Sequence, residues 1–299
     1  MATENRDLQS AGIRPSLAEL LALQRTGLKL PPPRRGNHGP RGAAPSPQRG
    51  RGMDYAESRE YVAGDDARHI DWRLTARSGR THTKVFEAER EQLSLIVADT
   101  SPALYFGTRV RYKSVQAARA AAIAAWAAQR RGDRIAALRG GPEAPLRPAS
   151  GRRGVLPVLD ALVRWYAEPP AADDGLVVAL DHAARLLRPG ARLHVFADPS
   201  SAAQVPLERW AGLAAHHRVS LVMLQDPLEL APPAQALPFF AAGKRWLLDL
   251  GNAAARQRWH QQLVMPAETL QNELRARGVG AWRLSSADPS DSGWTEALR

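Results

Sequence analysis

Short apolar runs, each followed by a stretch of helical period, fill the chain beyond residue 92 and leave few folds open. Leu93-Ser94-Leu95-Ile96-Val97-Ala98 is such a run, closed by Asp99; its length and continuity suit a strand buried on both faces. Lys113 to Arg131 then keeps Val115, Ala118, Ala122, Ala125 and Trp126 at helical spacing, and Gly132 ends it. Arg134 to Leu138, Leu193 to Ala197, Val219 to Leu224, Trp246 to Leu250 and Ala281 to Leu284 read as further strands. Val155 to Tyr166, Val177 to Leu187, Val205 to His216 and Ala253 to Arg277, the last broken at Pro266, read as helices. Strands separated by helices of this length need right-handed crossovers, so the expected class is α/β, a mostly parallel sheet with helices on both faces. It occupies residues 92–286, and the polar tail 287–299 is expected to be loose.

The 299 residues allow one such domain plus appendages. In residues 1–52, Pro15 and Ser16 open a short amphipathic helix that places Leu17, Leu20, Leu21 and Leu23 on or near one face and ends near Gly27. Lys29, Arg34, Arg35, Arg41, Arg49 and Arg51 follow among Pro and Gly with no acid, a composition that cannot bury enough to fold alone. This linker could hold polyanions nonspecifically, but it has no aromatic residue to stack on bases. Of 41 basic residues in a chain of net charge +11 only four are lysine, a bias that GC-rich codon usage also produces. No apolar stretch reaches spanning length, the first ten residues lack a signal-peptide core, and cysteine is absent. The expectation is a cytoplasmic protein with no membrane span, no disulfide and no thiolate site.

P-loop, G-x-S-x-G, H-E-x-x-H and dinucleotide motifs are all missing, so the common catalytic classes have no support. His216-His217 reads as a helix end. The densest polar signal is residues 53–91, where Arg59, Glu60, Tyr61, Gly64, Asp65, Asp66, Arg68, Asp71, Trp72 and Arg77 interleave acids, arginines and aromatics. Arginine forks match carboxylates, and the segment reads first as a stapled structural layer in which Asp71 and Trp72 are buried. A recognition surface is the alternative.

Arg59-Glu60-Tyr61, Gly64-Asp65-Asp66, Arg68-x-Ile70-Asp71-Trp72 and Ala76-Arg77, continued by Asp99-Thr100-Ser101, Phe106-Gly107, Lys113 and Arg131 to Arg134, resemble the domain-of-unknown-function family 58. That resemblance implies a von Willebrand factor A-like domain and a partner among MoxR-type AAA+ ATPases. It also implies a metal-ion-dependent adhesion site for Mg²⁺, built from hard oxygen donors at the strand ends. Asp99, Ser101 and Asp198 match its donors, whereas Ala103 and Leu176 stand where two hydroxyls belong. The site is therefore expected to be degenerate, with weak Mg²⁺ at most and no other cofactor. Asp99 and Asp198 also have a metal-free role open to them, as carboxylates next to helix N-termini. The functional expectation is a non-enzymatic adaptor or co-chaperone that presents the strand-end face and the 53–91 layer to its ATPase. Polyanion binding through the linker, Mg²⁺-dependent ligand binding, and a hydrolase using Asp99 and Asp198 are the alternatives.

Overall fold

The computed structural model describes residues 12–29, 53–88, 92–171, 173–241 and 243–298. In chain order the elements are α1 (Leu17–Ala22), α2 (Gln24–Lys29), β1 (Met53–Glu60), α3 (Trp72–Ser78), β2 (His82–Ala88), β3 (Leu93–Ala98), α4 (Lys113–Arg131), β4 (Arg134–Arg139), β5 (Ala149–Ser150), α5 (Arg152–Trp165) and α6 (Gly175–Leu186). They continue as β6 (Arg192–Ala197), α7 (Pro199–Ala203), α8 (Leu207–His216), β7 (Arg218–Gln225), α9 (Pro227–Leu230), β8 (Ala236–Ala241), β9 (Lys244–Asp249), α10 (Ala253–Trp259), α11 (Met265–Ala276) and β10 (Gly280–Ser285). The described residues fall into two units, 12–29 with 92–298, and 53–88.

The larger unit is built on a sheet of order β10-β7-β6-β3-β4-β5, parallel except for β5. Successive side chains on a strand point to opposite faces, and the core divides accordingly. Ile96, Ala98, Phe196, Val222 and Leu224 pack beneath α4 and α5, whereas Leu95, Val97, Val195, Leu221 and Met223 pack beneath α6, α8 and α11. Both faces are thus covered, as the uninterrupted apolar strands require.

α4 is buried on nearly every side, the signature of a central helix. Glycine on its neighbour lets α2 come close: a Cβ on Gly27 of α2 would lie 2.8 Å from the Trp126 Cβ. The Trp126 indole donates to the Leu20 carbonyl at 3.0 Å, and Arg119 pairs with Glu19 of α1. In α1 only Leu20 and the following Leu23 face this core, and Leu17 and Leu21 are exposed. The single expected leucine face is therefore divided, because helical spacing sets Leu17 and Leu21 on one side and Leu20 and Leu23 on another.

Three further expectations change. Trp246 to Leu250 does not join the main sheet: β9 pairs antiparallel with β8 in a separate hairpin. The connection contains Gly243 at φ +72, and Pro238 is tolerated because a two-stranded ribbon has only edge strands. The helix after Ala253 widens into a π turn at His260–Val264 just before Pro266, which spares the proline the clash and missing donor it would meet inside a continuous α-helix. The tail is not loose. Trp294 is fully buried, edge-on to Phe196 at 5.5 Å, and the Arg131 guanidinium donates to the Leu298 carbonyl at 2.7 Å.

In the smaller unit β1 and β2 form an antiparallel pair with an irregularity between Tyr55 and Glu57. α3 stands between them in sequence, begun by Asp71 and ended by Gly79 at φ +71. The basic linker of residues 30–52 lies outside the described residues.

Candidate functional site

In the order β10-β7-β6-β3-β4-β5 the chain's direction of travel reverses between β3 and β6. Open α/β sheets receive ligands outside the strand ends at such a point. Asp99 follows β3 and Asp198 follows β6, so two of the sequence-predicted donors meet there. The Asp99 carboxylate accepts from the Asp198 N–H at 2.9 Å, the Ser101 N–H at 2.9 Å and the Ser101 hydroxyl at 3.1 Å. The Ser201 hydroxyl donates to that of Ser101 at 3.0 Å. Asp198 caps α7, accepting from the Ser200 N–H at 2.8 Å and its hydroxyl at 2.5 Å. All three predicted residues are therefore in one cluster, but Asp99 is 2% and Asp198 5% exposed, so they form no accessible acidic rim. Burial pushes the Asp99 carboxyl above its usual range, against the pull of the backbone donors.

Lys113 completes the cluster. It is the first residue of α4, 2% exposed, and its ammonium lies 2.7 Å from Asp198 and 2.6 Å from Glu229. The Phe106 ring lies beside it, 5.9 Å from centroid to nitrogen. Burial works against its charge, but the two carboxylates outweigh that and hold its pKa above the ordinary lysine value. Removing one member of such a buried pair leaves the other uncompensated, at a cost of about 3–5 kcal/mol.

A third strand-end acid, Asp226 after β7, fixes the loop before α4. It accepts from the Thr108 N–H at 3.0 Å, the Thr108 hydroxyl at 2.5 Å, the Ser286 hydroxyl at 2.7 Å and the Leu228 N–H at 3.0 Å. With Glu229 it makes a capping box on α9. Asp226 and Glu229 were not singled out from the sequence. The signal was there, since Asp198-Pro199 and Asp226-Pro227 repeat the pairing of an N-cap acid with proline at the first helical position.

The Mg²⁺ implied by the resemblance does not fit these residues. The oxygens of Asp99 and Asp198 are committed to internal donors, and one Asp198 oxygen already faces an ammonium. Leu176 is buried in the apolar cluster with Leu95 and Leu138, and Ala103 offers no oxygen. No group of three or more His, Asp or Glu side chains suited to a metal ion occurs among the described residues.

The signature residues of the smaller unit do staple it, from its surface. Arg59 pairs with Asp65 at 2.7 Å, and Asp65 also accepts from the Val62 N–H at 3.0 Å. The Tyr61 hydroxyl donates to the Asp65 carbonyl across the turn at Gly64 (φ +112). Glu60 meets Arg80 at 2.8 Å and Asp66 meets Arg68 at 2.9 Å. The Arg68 contacts draw the Asp66 carboxyl down to about 2. Asp71 caps α3 through the Arg73 and Leu74 N–H groups and accepts from the Ser58 hydroxyl at 3.1 Å. The expectation of a buried Trp72 is corrected: it is 69% exposed, because α3 turns its first residue away from the β1–β2 pair. Arg77 is exposed in the last turn of α3.

Fold and site together define an open α/β protein whose switch-point cluster is closed by its own buried lysine, with a small stapled unit ahead of it. Residues 57–265 match the family described as "Protein of unknown function DUF58". The chain belongs to that family. Uncharacterized proteins of Mycobacterium tuberculosis (strain ATCC 25618 / H37Rv) and Mycobacterium bovis are each 32% identical to it over 192 residues, which is 62% of this chain and 58% of theirs. The chain thus spans less than two thirds of the length of these relatives. Among solved structures, BatB from Bacteroides thetaiotaomicron aligns at 15% identity with a TM-score of 0.43, over 69% of this chain and 95% of that one. No helix among the described residues is long and apolar enough to cross a membrane.

Proposed function

We propose that this chain is a non-enzymatic interaction protein, an adaptor or co-chaperone of a MoxR-type AAA+ ATPase, with a von Willebrand A-like central unit whose adhesion site is degenerate. The observation that carries the reading is the β8–β9 hairpin, where Phe240 is 78% and Leu247 71% exposed on one face and Trp246, paired with Phe239, is 59% exposed on the other. Clustered apolar side chains of this size gain free energy only when something covers them, and such patches mark interaction surfaces. Phe239 on the same hairpin leans on Trp259 at 5.7 Å, so the ribbon is held and its outer side chains are presented. In the other unit Trp72 and Val62 are also exposed. The strand-end carboxylates, being buried and internally paired, leave docking to these surfaces. The ATPase class comes from the family resemblance.

The test is a pull-down from native lysate at low salt, followed by reconstitution with the recovered ATPase. Wild type retains the ATPase, the Phe240→Ser/Leu247→Ser double variant loses at least about tenfold in affinity, a typical result for buried apolar anchors, and excess chelator changes neither. Recovery of no ATPase, or undiminished binding by the double variant, would count against the reading.

A further inference from the structure

Lys113 occupies a position that its local sequence disfavours. A cation at the first residue of a helix faces the positive end of the helix dipole, and the first turn of α4 has no acid to offset it. Burial adds a desolvation penalty. The compensation comes from far along the chain, from Asp198 after β6 and Glu229 in α9, each within 2.7 Å of the ammonium. We propose that the Lys113 ammonium is the resident cation of the switch-point site, held by Asp198 and Glu229, and that its removal turns the same carboxylates into a divalent-cation site.

Both parts follow from the geometry. The Asp198 and Glu229 oxygens already converge on one point, the lysine nitrogen, at 2.7 and 2.6 Å. Cation–oxygen distances run from about 2.0 Å for Mg²⁺ to about 2.6 Å for Ca²⁺, so a cation at that point needs only a small inward movement of each oxygen. While the ammonium is present, a second cation meets direct repulsion and finds neither carboxylate free. With Lys113 truncated, two carboxylates face an emptied hollow without a counter-charge, and the space left by the side chain admits water to complete an oxygen shell. The chain thereby carries a permanent charge where a metal site would carry an exchangeable one, so the site has a single state whatever the divalent-ion concentration.

The test is Mn²⁺ titration of the purified full chain, read by calorimetry, by the loss of the free-ion magnetic resonance signal and by thermal melting. Wild type takes up no Mn²⁺ at submillimolar concentration. Lys113→Ala melts lower, binds one Mn²⁺ per chain in that range and recovers melting temperature as it does so. Lys113→Ala/Asp198→Asn binds none. If Lys113→Ala is unfolded without metal, refolding in Mn²⁺ supports the assignment and failure to refold overturns it. Saturable wild-type uptake that Asp198→Asn abolishes also overturns it, as does a folded Lys113→Ala that ignores millimolar Mn²⁺. Metal uptake is read without any partner, so its failure is distinct from failure of the ATPase reading.

Discussion

Asp71 and Trp72 are adjacent, and their substitutions should behave differently. Asp71 caps α3 through two N–H groups and anchors Ser58, so Asp71→Ala is expected to lower the melting temperature of the smaller unit. Trp72, 69% exposed, should leave melting unchanged when replaced by Ala and alter only surface binding. Equal melting losses in the two variants, measured by circular dichroism, would show that the tryptophan packs more deeply than this. The sequence revealed the acid–arginine pairing here but not its direction, because interleaved charges are compatible with an inward or an outward aromatic. The same limit applies at the strand ends. Asp99, Ser101 and Asp198 were legible as a cluster through the adhesion-site pattern that the family resemblance implies, and the missing Ala103 and Leu176 oxygens were legible as gaps in it. That Lys113 fills the site was not, because lysine at a helix start has no local pattern that marks it as buried.

At the level of elements, periodicity placed β3, β4, β6, β7, β10 and α4 to within a few residues, because each has one uniform environment. It failed where the environment changes within the element. The β8–β9 hairpin is apolar yet mostly exposed, so its strands resemble core strands in composition. The segment after Ala287 is polar in composition yet carries Trp294 and Leu298 into the core. Two large apolar side chains among a dozen residues give no period to detect. Trp294 is fully buried against Phe196, and its indole donates to the Ser290 carbonyl at 2.8 Å. Trp294→Ala is therefore expected to cost about 3–5 kcal/mol, the range for large buried aromatics. Urea unfolding should show a lower midpoint at unchanged slope, and an unaltered midpoint would return the tail to the loose status its composition suggests.

At the scale of the whole molecule the two units should respond to acid in different windows. His194 lies inside β6 with no exposure to spare, and its Nδ1 is 2.6 Å from the Ser220 hydroxyl. Ser220 gives its own proton to the Leu193 carbonyl, so the ring donates from Nδ1 and is neutral. Its Nε2 is buried without a partner among the described residues. Burial, aided by Arg131 and Arg192, lowers its pKa to about 3. The unfolded chain, with an ordinary histidine near 6.5, binds the proton first as pH falls. The stability tied to a neutral His194 is therefore intact above pH 6.5 and is lost progressively as pH drops from there toward about 3. The slope approaches about 1.4 kcal/mol per pH unit. In the smaller unit the perturbed carboxylates are those of Glu60, Asp65, Asp66 and Asp71, all lowered, Asp66 to about 2. Their contribution is intact above the ordinary carboxylate range and is lost only as pH falls through it toward about 2. Between about pH 6.5 and 4.5, then, His194 draws stability from the larger unit, while the raised carboxyls of Asp99 and Glu229, which take up protons first in the folded state, work in the opposite direction. His194→Leu removes the titrating group and leaves Ser220 satisfied by Leu193, so it should remove the acid-side loss that His194 causes and make the larger unit more stable at the lower end of that interval relative to its stability at neutral pH. Identical slopes for wild type and His194→Leu, measured by urea unfolding at each pH, would show that the proton is taken up elsewhere.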